Sequence, residues 1–407
     1  MIHMEREILM DNKIKDFFTK KRNLIITYLI IISVIALYAR IKMLGFESWD
    51  YINCIQAWID TIIKKGNIKA LKYSIGNYNI IYMTFLALIS YLPFKHILMV
   101  KGFSIIFDFV CAIFGSLIIG ELSKDKKNKL LYQSIVYTVI LFVPTVLMNS
   151  ALWGQCDSIY TAFTIISIYL LLKDKMTLSF IFAGISFAFK LQFIFILPLY
   201  ILLYFKKKNI SLLHFLIIPL VNFITCLPAI IAGRSVKDCL MIYFEQTGQQ
   251  NIVLTNNFPN IYKFINVFFG DNQGTVGILF TVALIGIIVL ILLYKQTKLA
   301  KENILELGLI FIIIMTQFLP FMHERYAFAA EVLLCIYVIL NKGKHWLYLV
   351  VAQLAISSEY LSFMSSINQE YVDYLSIIYV IYSMYFIFDI LKNILTTENV
   401  KKKEEVK

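Results

Sequence analysis

Residues 24–44 have the sequence LIITYLIIISVIALYARIKML, and the polar segment Gly45-Phe46-Glu47-Ser48-Trp49-Asp50-Tyr51 follows directly. A membrane-spanning α-helix needs about 20 predominantly apolar residues, and the first stretch meets this requirement. The second stretch opens the longest polar interval before residue 230. Together the two stretches predict a membrane protein whose first span leads into a polar loop on the far side of the bilayer.

The composition of the whole chain supports this interpretation. Of its 407 residues, 59% are hydrophobic and 16% are charged, and the mean hydropathy is +0.75. Soluble domains are about 45–50% apolar. Continuously apolar runs such as Ile278–Leu293 argue against a large β-barrel, whose strands would alternate between apolar and polar residues. We therefore expect an all-α polytopic membrane protein with about 11–13 transmembrane helices.

The net charge of +12 does not indicate a nucleic-acid-binding protein. The lysines lie in short loops between apolar runs, as the positive-inside rule predicts for cytoplasmic loops. No basic stripe interleaved with exposed aromatic residues remains once these loops are set aside. The six cysteines lack the spacing of a metal site; they are Cys54, Cys111, Cys156, Cys226, Cys239 and Cys335. We expect no nucleic-acid partner.

The first span is expected to be a retained anchor, because a charged leader of 23 residues precedes it and no small-residue cleavage site follows it. Basic residues beside the span place the N-terminus in the cytoplasm; they are Lys13, Lys15, Lys20, Lys21 and Arg22. The expected domains are a cytoplasmic N-terminal segment at 1–23, a transmembrane domain at 24–395 and a cytoplasmic basic tail at 396–407.

The remaining apolar runs lie at 79–92, 97–120, 130–150, 157–173, 178–205, 210–232, 275–295, 303–321, 324–340, 345–362 and 372–392. Basic segments separate them at 124–129, 173–175, 206–208, 295–301, 342–344 and 401–407. All of these basic segments can be cytoplasmic if two of the apolar runs, 79–92 and 178–205, do not cross the membrane as single spans. Run 79–92 is too short to span and is expected to be a juxtamembrane helix on the outer side. Run 178–205 is too long and is expected to be two short helices that meet at Lys190-Leu191-Gln192.

With this topology, the polar motifs gather outside the cytoplasm. They are the loop 45–78, Trp153–Ser158, Lys190–Gln192, the loop 233–274 and Met322–Tyr326. An alternative topology makes 79–92 a full span, which puts 124–129 outside and 153–158 inside. It violates the charge bias, so we rank it second.

The first external loop is expected to contain an amphipathic helix at 51–64 that lies on the membrane surface. Its apolar side carries Ile52, Ile55, Ile59, Ile62 and Ile63. Asp50 directly precedes this helix and has two interpretations. It is a favoured N-cap residue. A carboxylate just beyond the first span is also well placed to act as a base on a substrate that arrives from that side.

Ionisable side chains at membrane depth cost about 2.5–3.5 kcal/mol each on insertion scales, so they are candidates for function. Asp108 lies in run 97–120, and Lys101 lies seven residues earlier on about the same helix face. This spacing allows a structural Lys–Asp pair. Lys190 has no acidic residue within fifteen positions. Its partner is then a lipid head group, reached by snorkelling, or a substrate phosphate.

Two further motifs break apolar runs. In Trp153-Gly154-Gln155-Cys156-Asp157-Ser158, either Asp157 or Ser158 is a helix cap, or Gln155 and Asp157 bind a sugar or a phosphate. In His323-Glu324-Arg325-Tyr326, which follows Pro320, a local Glu–Arg pair starts a helix, or the cationic side chains bind a phosphate.

Three blocks of sequence resemble the bacterial membrane proteins that are similar to the eukaryotic GPI mannosyltransferases, in the C-type glycosyltransferase superfold. The blocks are Trp153-Gly154-Gln155-Cys156-Asp157-Ser158-Ile159-Tyr160, Ala188-Phe189-Lys190-Leu191-Gln192 with Leu197-Pro198-Leu199, and Met322-His323-Glu324-Arg325-Tyr326. Their order and spacing also fit, and the similarity covers roughly residues 20–395.

The resemblance implies a polytopic enzyme with a catalytic aspartate in its first external loop and a polyprenyl- or dolichyl-phosphate sugar as the donor. Asp50 matches that aspartate. Ser48 stands where the Asp-x-Asp version of the motif has its first aspartate, so we expect no bound metal, and a divalent metal is the alternative. Tyr78-Asn79 resembles the pair that starts the next helix in this group.

We therefore expect a membrane glycosyltransferase of the cell envelope that moves a mannose-like hexose from a polyprenyl-phosphate donor to an extracytoplasmic glycan or lipid acceptor, with inversion. Asp50 is the expected general base. The expected phosphate ligands are Lys190, His323 and Arg325. The expected sugar or acceptor contacts are Tyr78, Asn79, Trp153, Gln155, Asp157, Gln192 and Glu324.

Two other functions compete with this one. A transporter or flippase of lipid-linked sugars would place its polar residues near the bilayer midplane, between inverted repeats. This chain gathers them towards one face, and it has no obvious internal repeat. An envelope glycan polymerase uses similar lipid phosphates and a similar site, and the sequence alone separates it poorly from a transferase.

Overall fold

The structure is a computed structural model that describes residues 2–249, 254–264, 272–295, 299–365 and 369–405. Most of the described chain is helical and very little of it is strand, which confirms the predicted all-α class. Its α-helices are α1 Ile2–Met43, α2 Ala57–Lys64, α3 Ile80–Ile89, α4 His96–Leu122, α5 Lys129–Phe142, α6 Pro144–Leu147, α7 Asp157–Leu172, α8 Met176–Phe189, α9 Leu197–Lys206, α10 Leu212–Ile231, α11 Val236–Leu240, α12 Ile242–Gln249, α13 Gln273–Tyr294, α14 Lys301–Phe318, α15 Phe328–Leu340, α16 Trp346–Ser365 and α17 Gln369–Glu405. Two strands, β1 Thr255–Asn256 and β2 Met322–His323, pair in parallel.

Among the described residues, six helical segments are long and apolar enough to cross a membrane. They are Arg22–Met43, His96–Leu122, Leu212–Ile231, Gln273–Tyr294, Trp346–Ser365 and Glu370–Thr396. A seventh results if α5 and α6 with the turn after it are one span, bent by 55°. The bend lies at Pro144, which lacks a backbone N–H and disfavours helical geometry at the residue before it. The chain therefore has the helices of a multi-pass membrane protein.

The two runs that were not expected to cross as single spans have the predicted form. Run 79–92 contains α3, whose 10 residues extend only about 15 Å, about half the thickness of the hydrocarbon core. Run 178–205 is interrupted after α8, where Lys190 has extended backbone at φ −154° and ψ 136°. A 3-10 turn at Leu191–Ile196 follows, and α9 then begins. The break at Lys190 is therefore confirmed.

Two predicted domain boundaries do not coincide with helix ends. Helix α1 runs through the boundary at residues 23 and 24, and helix α17 runs through that at 395 and 396. Met1 of the segment 1–23 and parts of the loop 233–274, the basic loop 295–301 and the tail 401–407 lie outside the described residues.

The basic loops between the helices contact one another. Lys124 forms an ion pair with Glu302 at 2.9 Å. Lys173 and Lys301 each lie 3.0 Å from a carboxylate oxygen of Glu121. The loops that start near residues 121, 173 and 299 therefore lie together. Exposed ion pairs of this kind add only about 0–1 kcal/mol each to stability. They show, however, which loops lie at the same end of the protein.

The long polar loops also contact one another. Gln246 donates a hydrogen bond to the backbone carbonyl of Asn77, and Arg234 lies 3.4 Å from the hydroxyl of Ser74. Strand β1, which belongs to the loop 233–274, pairs with β2 of the turn after α14. The first polar loop, the loop 233–274 and the turn at 320–327 are thus joined into one assembly of loops.

Asp108 is not paired with Lys101, contrary to the expectation from their spacing. Arg40 of α1 donates from Nε to Asp108 Oδ2 at 2.8 Å, and the hydroxyl of Ser150 donates to the same oxygen at 2.5 Å. Lys101 instead donates to backbone carbonyls at the end of α1, the shortest distance being 2.5 Å to that of Phe46. Asp108 therefore pairs with an arginine of the neighbouring helix α1 and not with the lysine on its own helix.

Candidate active site

Ser48, rather than Asp50, caps the helix of the first polar loop. The hydroxyl of Ser48 accepts a hydrogen bond from the Tyr51 N–H at 3.2 Å and donates one to the Trp153 carbonyl at 2.8 Å. Asp50 has helical backbone, at φ −60° and ψ −39°, and makes no capping hydrogen bond. The interpretation of Asp50 as an N-cap is therefore wrong. Since Ser48 takes that role, the Asp50 carboxylate is available for other contacts.

The helix that follows has only part of its predicted apolar face buried. It begins with a π-helical turn at Tyr51–Gln56 and continues as α2. Ile55, Ile59 and Ile62 are buried, whereas Ile52 and Ile63 are 49% and 43% exposed. The π-helical turn rotates the chain relative to a regular α-helix, which explains why five isoleucines at helical spacing do not share one buried side.

The Asp50 carboxylate receives two hydrogen bonds from the Trp153 motif. Trp153 Nε1 lies 3.0 Å from Asp50 Oδ2, and Gln155 Nε2 lies 2.8 Å from the same oxygen. Two donors on one oxygen fix the orientation of the carboxylate. Among the described residues its second oxygen, Oδ1, receives no hydrogen bond. That oxygen is the one able to accept a proton from another group.

The backbone around Gly154 positions both donors. A π-helical turn at Met148–Trp153 ends at Gly154, which has a positive φ of 84°. Glycine adopts this left-handed conformation without the steric cost that a side chain would add. The chain reverses direction at Gly154, so that the N–H of the next residue, Gln155, donates to the Asn149 carbonyl at 2.9 Å. Trp153 and Gln155 consequently both reach Asp50.

Tyr78 extends this hydrogen-bonded chain. Its hydroxyl donates to Gln155 Oε1 at 3.0 Å, so the Gln155 amide connects Tyr78 to Asp50. Burial raises the pKa of Tyr78 well above its ordinary value, and the nearby Cys156 contributes further. The hydroxyl therefore keeps its proton and acts as a donor.

Lys190 has a partner within the protein, although no acidic residue lies near it in the sequence. Its ammonium nitrogen lies 2.5 Å from Asp157 Oδ1, and Asp157 is fully buried. Asn149 Nδ2 donates to the other oxygen of Asp157 at 3.0 Å. Asp157 therefore positions the Lys190 side chain. Because Asp157 is fully buried, it has no exposed surface with which to contact a sugar directly.

Arg325 lies on the other side of Asp157. Its Nε is 3.8 Å from Asp157 Oδ2, and its NH1 is 2.6 Å from Glu324 Oε1. The guanidinium carbon lies 5.2 Å from the centre of the Trp153 ring, close enough for a cation–π contact. Burial raises the pKa of Glu324, and the charge of Arg325 opposes this effect. The local Glu–Arg pair exists, but it belongs to the same cluster as Asp157 and Trp153.

His323 lies in β2 beside this cluster. Burial, and then the charges of Arg325 and Lys190, lower the pKa of His323 to about 3. The imidazole is therefore neutral near pH 7. The expected charge contribution of His323 to phosphate binding does not fit this environment, because a neutral imidazole offers only a hydrogen bond.

Two predicted site residues do not join the hydrogen-bonded cluster. The side chain of Asn79 accepts from the Ile80 N–H at 2.7 Å, which caps α3, and donates to Asn222 Oδ1 at 2.9 Å. Gln192 lies in the 3-10 turn after Lys190 and is mostly buried. Its Oε1 has no hydrogen-bond partner among the described residues.

Two buried residues near the site were not predicted from the sequence. Asn149, which holds both Asp157 and the Gln155 backbone, lies inside an apolar run that gives no signal for it. Glu331 on α15 is 2% exposed and lies near enough to Asp157 for their charges to interact. A carboxylate inside the apolar run 324–340 is the signal that would have singled out Glu331.

The cluster thus contains one partly exposed carboxylate, two largely buried cations and two further buried carboxylates, contributed by four separate segments of the chain. They are Asp50, Lys190, Arg325, Asp157 and Glu324. No model of a known protein family matches this chain, and no curated protein matches it.

Proposed function

We propose that the chain is a membrane-embedded glycosyltransferase. It moves a hexose, with mannose as the leading candidate, from a polyprenyl-phosphate donor to a glycan or lipid acceptor, with inversion at the anomeric carbon. The observation that carries the proposal is the arrangement at Asp50: a partly exposed carboxylate is oriented through one oxygen and lies in the same cluster as Lys190 and Arg325. A base beside cations suits transfer from a phosphate leaving group.

In the proposed reaction, an acceptor hydroxyl oxygen attacks the anomeric carbon of the donor sugar. The new bond joins that oxygen to the anomeric carbon, and the bond between the anomeric carbon and the phosphate oxygen breaks. Asp50 Oδ1 takes the hydroxyl proton, and the bonding electron pair leaves with the phosphate. General-base catalysis of this kind contributes about 10²–10⁴ to the rate.

Negative charge accumulates on the phosphate as it leaves, and Lys190 and Arg325 are the groups that neutralise it. Both cations are largely buried, where fixed charges act more strongly than in water. Each is also held by a carboxylate, Lys190 by Asp157 and Arg325 by Glu324. These carboxylates are positioning residues, because each lies within 2.6 Å of the cation that it holds.

The proposed topology has about 11–13 transmembrane helices and a juxtamembrane helix in the first external loop. The count beyond six comes from the bent pair and from the shorter apolar helices, among them α7, α8, α9 and α15. The contacts among the basic loops support one shared side for them. The positive-inside rule makes that side cytoplasmic, so the candidate site faces away from the cytoplasm.

The resemblance of the three sequence blocks to GPI-mannosyltransferase-like proteins supports the same proposal. Residues from all three blocks contact one another, since Asp157 joins Lys190 to Arg325. A transporter or flippase of lipid-linked sugars, or a glycan polymerase, remains the alternative to be tested. Labelling of cysteines introduced near Lys190 and Arg325 distinguishes the first of these, because access from both sides of the membrane would favour transport.

The proposal is tested by incubating membranes that contain the protein with a panel of polyprenyl-phosphate hexoses and measuring which donor is consumed. We expect one donor to be consumed and Asp50→Asn to reduce the rate at least about 100-fold. Asp60→Asn is the matched control, because Asp60 lies exposed on the same helix and pairs with Gln56. Near-normal transfer by Asp50→Asn would remove Asp50 as the base, and consumption of no donor would contradict the proposal.

A further inference from the structure

A cavity of about 350 Å³ lies where the first polar loop meets the loop 233–274. The first loop contributes Trp58, Gly76 and Tyr78 to its wall, and the second contributes Arg234 and residues of α12. Ligand-binding cavities in proteins usually have volumes of about 300–1,000 Å³, so this one has room for a small ligand. Neither Asp50 nor Lys190 lines it, and Tyr78 is the lining residue that also belongs to the hydrogen-bonded chain described above.

Aromatic rings form one part of the wall. The rings of Trp58 and Tyr78 meet edge to face, with centroids 5.4 Å apart. Gly76 allows this arrangement, because it has a positive φ of 67° and a Cβ added there would lie 2.6 Å from the Trp58 ring. The glycine therefore brings the backbone against the indole and shapes the cavity around it.

Polar groups form the rest of the wall. Five of the nine lining residues are polar or charged, namely Ser74, Asn77, Arg234, Glu245 and Gln246. This proportion does not suit an acyl or polyprenyl chain, which needs an apolar wall. One cation and one carboxylate balance each other, so the cavity does not favour a phosphate either. A ligand with an apolar face and a rim of hydroxyl groups fits both parts of the wall.

A sugar ring has that chemistry. Its C–H bonds pack against the electron-rich face of an aromatic ring, and its hydroxyls both donate and accept hydrogen bonds. The cavity is also connected to the candidate base. Tyr78 lines the cavity, and its hydroxyl donates to Gln155, whose amide donates to Asp50. Two hydrogen bonds therefore link Tyr78, a residue of the cavity wall, to the carboxylate of Asp50.

We infer that this cavity is a subsite for a neutral sugar of the acceptor glycan, with Trp58 as its stacking surface. The inference rests on the proposed glycosyl transfer and makes it more specific, since the acceptor is then a saccharide rather than a simple lipid. Trp58 acts in binding and takes no part in the chemical step. Its loss raises the acceptor KM and leaves kcat unchanged, as removal of uniform binding does.

The test measures binding without transfer. Purified full-length protein in nanodiscs is titrated with manno-, gluco- and galacto-configured trisaccharides, and binding is followed by saturation-transfer NMR. We expect at least one trisaccharide to bind at millimolar concentration and Trp58→Ala to weaken it at least about tenfold, which corresponds to about 1.4 kcal/mol. Trp346→Ala is the control, because Trp346 is 60% exposed at the start of α16 and does not line the cavity.

Arg234→Gln serves as a second variant, in case Trp58→Ala loses its fold. It changes the polar wall and removes the 3.4 Å contact to Ser74, and it is expected to weaken binding of the same trisaccharide. Failure of every trisaccharide to bind, or equal binding by the wild type and both variants, would overturn the inference. Farnesyl phosphate is titrated in parallel as a mimic of the donor. The inference would also be overturned if the two variants bound farnesyl phosphate more weakly than the wild type does but bound the trisaccharide equally well, since the cavity would then serve the donor.

The two proposals fail separately. Asp50→Asn should keep full trisaccharide binding. If no donor is consumed but Trp58→Ala still loses saccharide binding, glycosyl transfer is refuted and a saccharide site remains. If transfer occurs and Trp58→Ala changes neither binding nor the acceptor KM, the subsite is refuted and the transferase remains.

Discussion

Trp153 Nε1 lies 3.0 Å from Asp50 Oδ2, although 103 residues separate the two in the chain. The contact joins the first polar loop to the turn before α7. It works together with the hydrogen bond from Ser48 to the Trp153 carbonyl, so the backbone and the side chain of Trp153 both hold the loop. Asp50 is thereby fixed by a second segment of the chain and does not depend on its own helix for orientation.

The first prediction concerns the second donor to Asp50. Gln155→Leu removes the 2.8 Å hydrogen bond to Asp50 and the link to Tyr78. A hydrogen bond to a charged group contributes about 1.5–3 kcal/mol, so kcat is expected to fall about 10- to 100-fold with little change in KM for the donor. Steady-state transfer kinetics measure this. Tyr78→Phe is the control for the link alone, and a larger loss in it than in Gln155→Leu would contradict the orienting role.

The second prediction separates the structural and chemical roles of Lys190. Lys190→Gln removes the closest cation from the buried Asp157, which keeps only Arg325 at 3.8 Å and the hydrogen bond from Asn149. The change is expected to cost up to about 3–5 kcal/mol of stability and to raise the donor KM more than the acceptor KM. The double variant Lys190→Gln/Asp157→Asn removes both charges and should recover most of the thermal stability without recovering donor use. Recovery of donor use in the double variant would show that Lys190 only balances Asp157.

Arg325→Ala should show the same bias as Lys190→Gln, with weaker use of the donor than of the acceptor, because both cations face the proposed phosphate. The measurement is the pair of KM values with one substrate held at saturation. Equal effects on the two substrates would argue against a phosphate contact by Arg325.

The third prediction follows from the pKa of His323, which falls from 6.5 to about 3 in the folded protein. An unfolded chain therefore binds a proton at pH values where the folded protein does not, and stability rises with pH in this window. The contribution is complete above about pH 6.5 and is lost as the pH falls towards 3. At pH 5 the loss is at most about 2 kcal/mol.

His323→Asn should accordingly lose less thermal stability than the wild type when the pH drops from 7 to 5. The shape of the pH–rate profile of transfer between pH 5 and 8 should be unchanged in this variant, since His323 stays neutral throughout. Thermal unfolding in detergent and transfer rates at each pH provide the two measurements. A change in the acid limb would mean that His323 carries charge during transfer.

The fourth prediction concerns the buried pair of Arg40 and Asp108, both fully buried. Asp108→Leu leaves a buried arginine without its partner and should destabilise the protein by about 3–5 kcal/mol. The double variant Arg40→Met/Asp108→Leu should be close to the wild type in stability and should retain transfer. Loss of transfer in a stable double variant would give the pair a role in the reaction.

Much of the helical organisation was predictable from the chain. Apolar runs of sufficient length predicted an all-α chain with membrane-spanning helices, of which six are found among the described residues, and the lysine inside run 178–205 predicted the break at Lys190. These features act locally, because hydrocarbon requires every backbone polar group to be satisfied within its own helix. The N-cap was predicted to be Asp50, but Ser48 is the residue that caps the helix. Serine and aspartate are both favoured N-caps, so only the path of the folded chain selects between them.

The partners of the polar residues were not predictable in the same way. The sequence placed Lys190 without an acidic neighbour and Asp108 beside Lys101, whereas the folded chain pairs Lys190 with Asp157 and Asp108 with Arg40. Buried charges must be neutralised, but the partner is whichever opposite charge the packing of helices brings within reach.

The sequence by itself determined that this chain forms apolar helices joined by polar loops, and it singled out Asp50, Asp157, Lys190 and Arg325. Tertiary structure alone decided that Ser48 caps the loop helix, that Trp153 and Gln155 hold Asp50, and that Tyr78 connects it to a cavity. The physical reason is that helix formation depends on residues within a few positions of one another. Hydrogen bonds across a site depend instead on how distant segments pack.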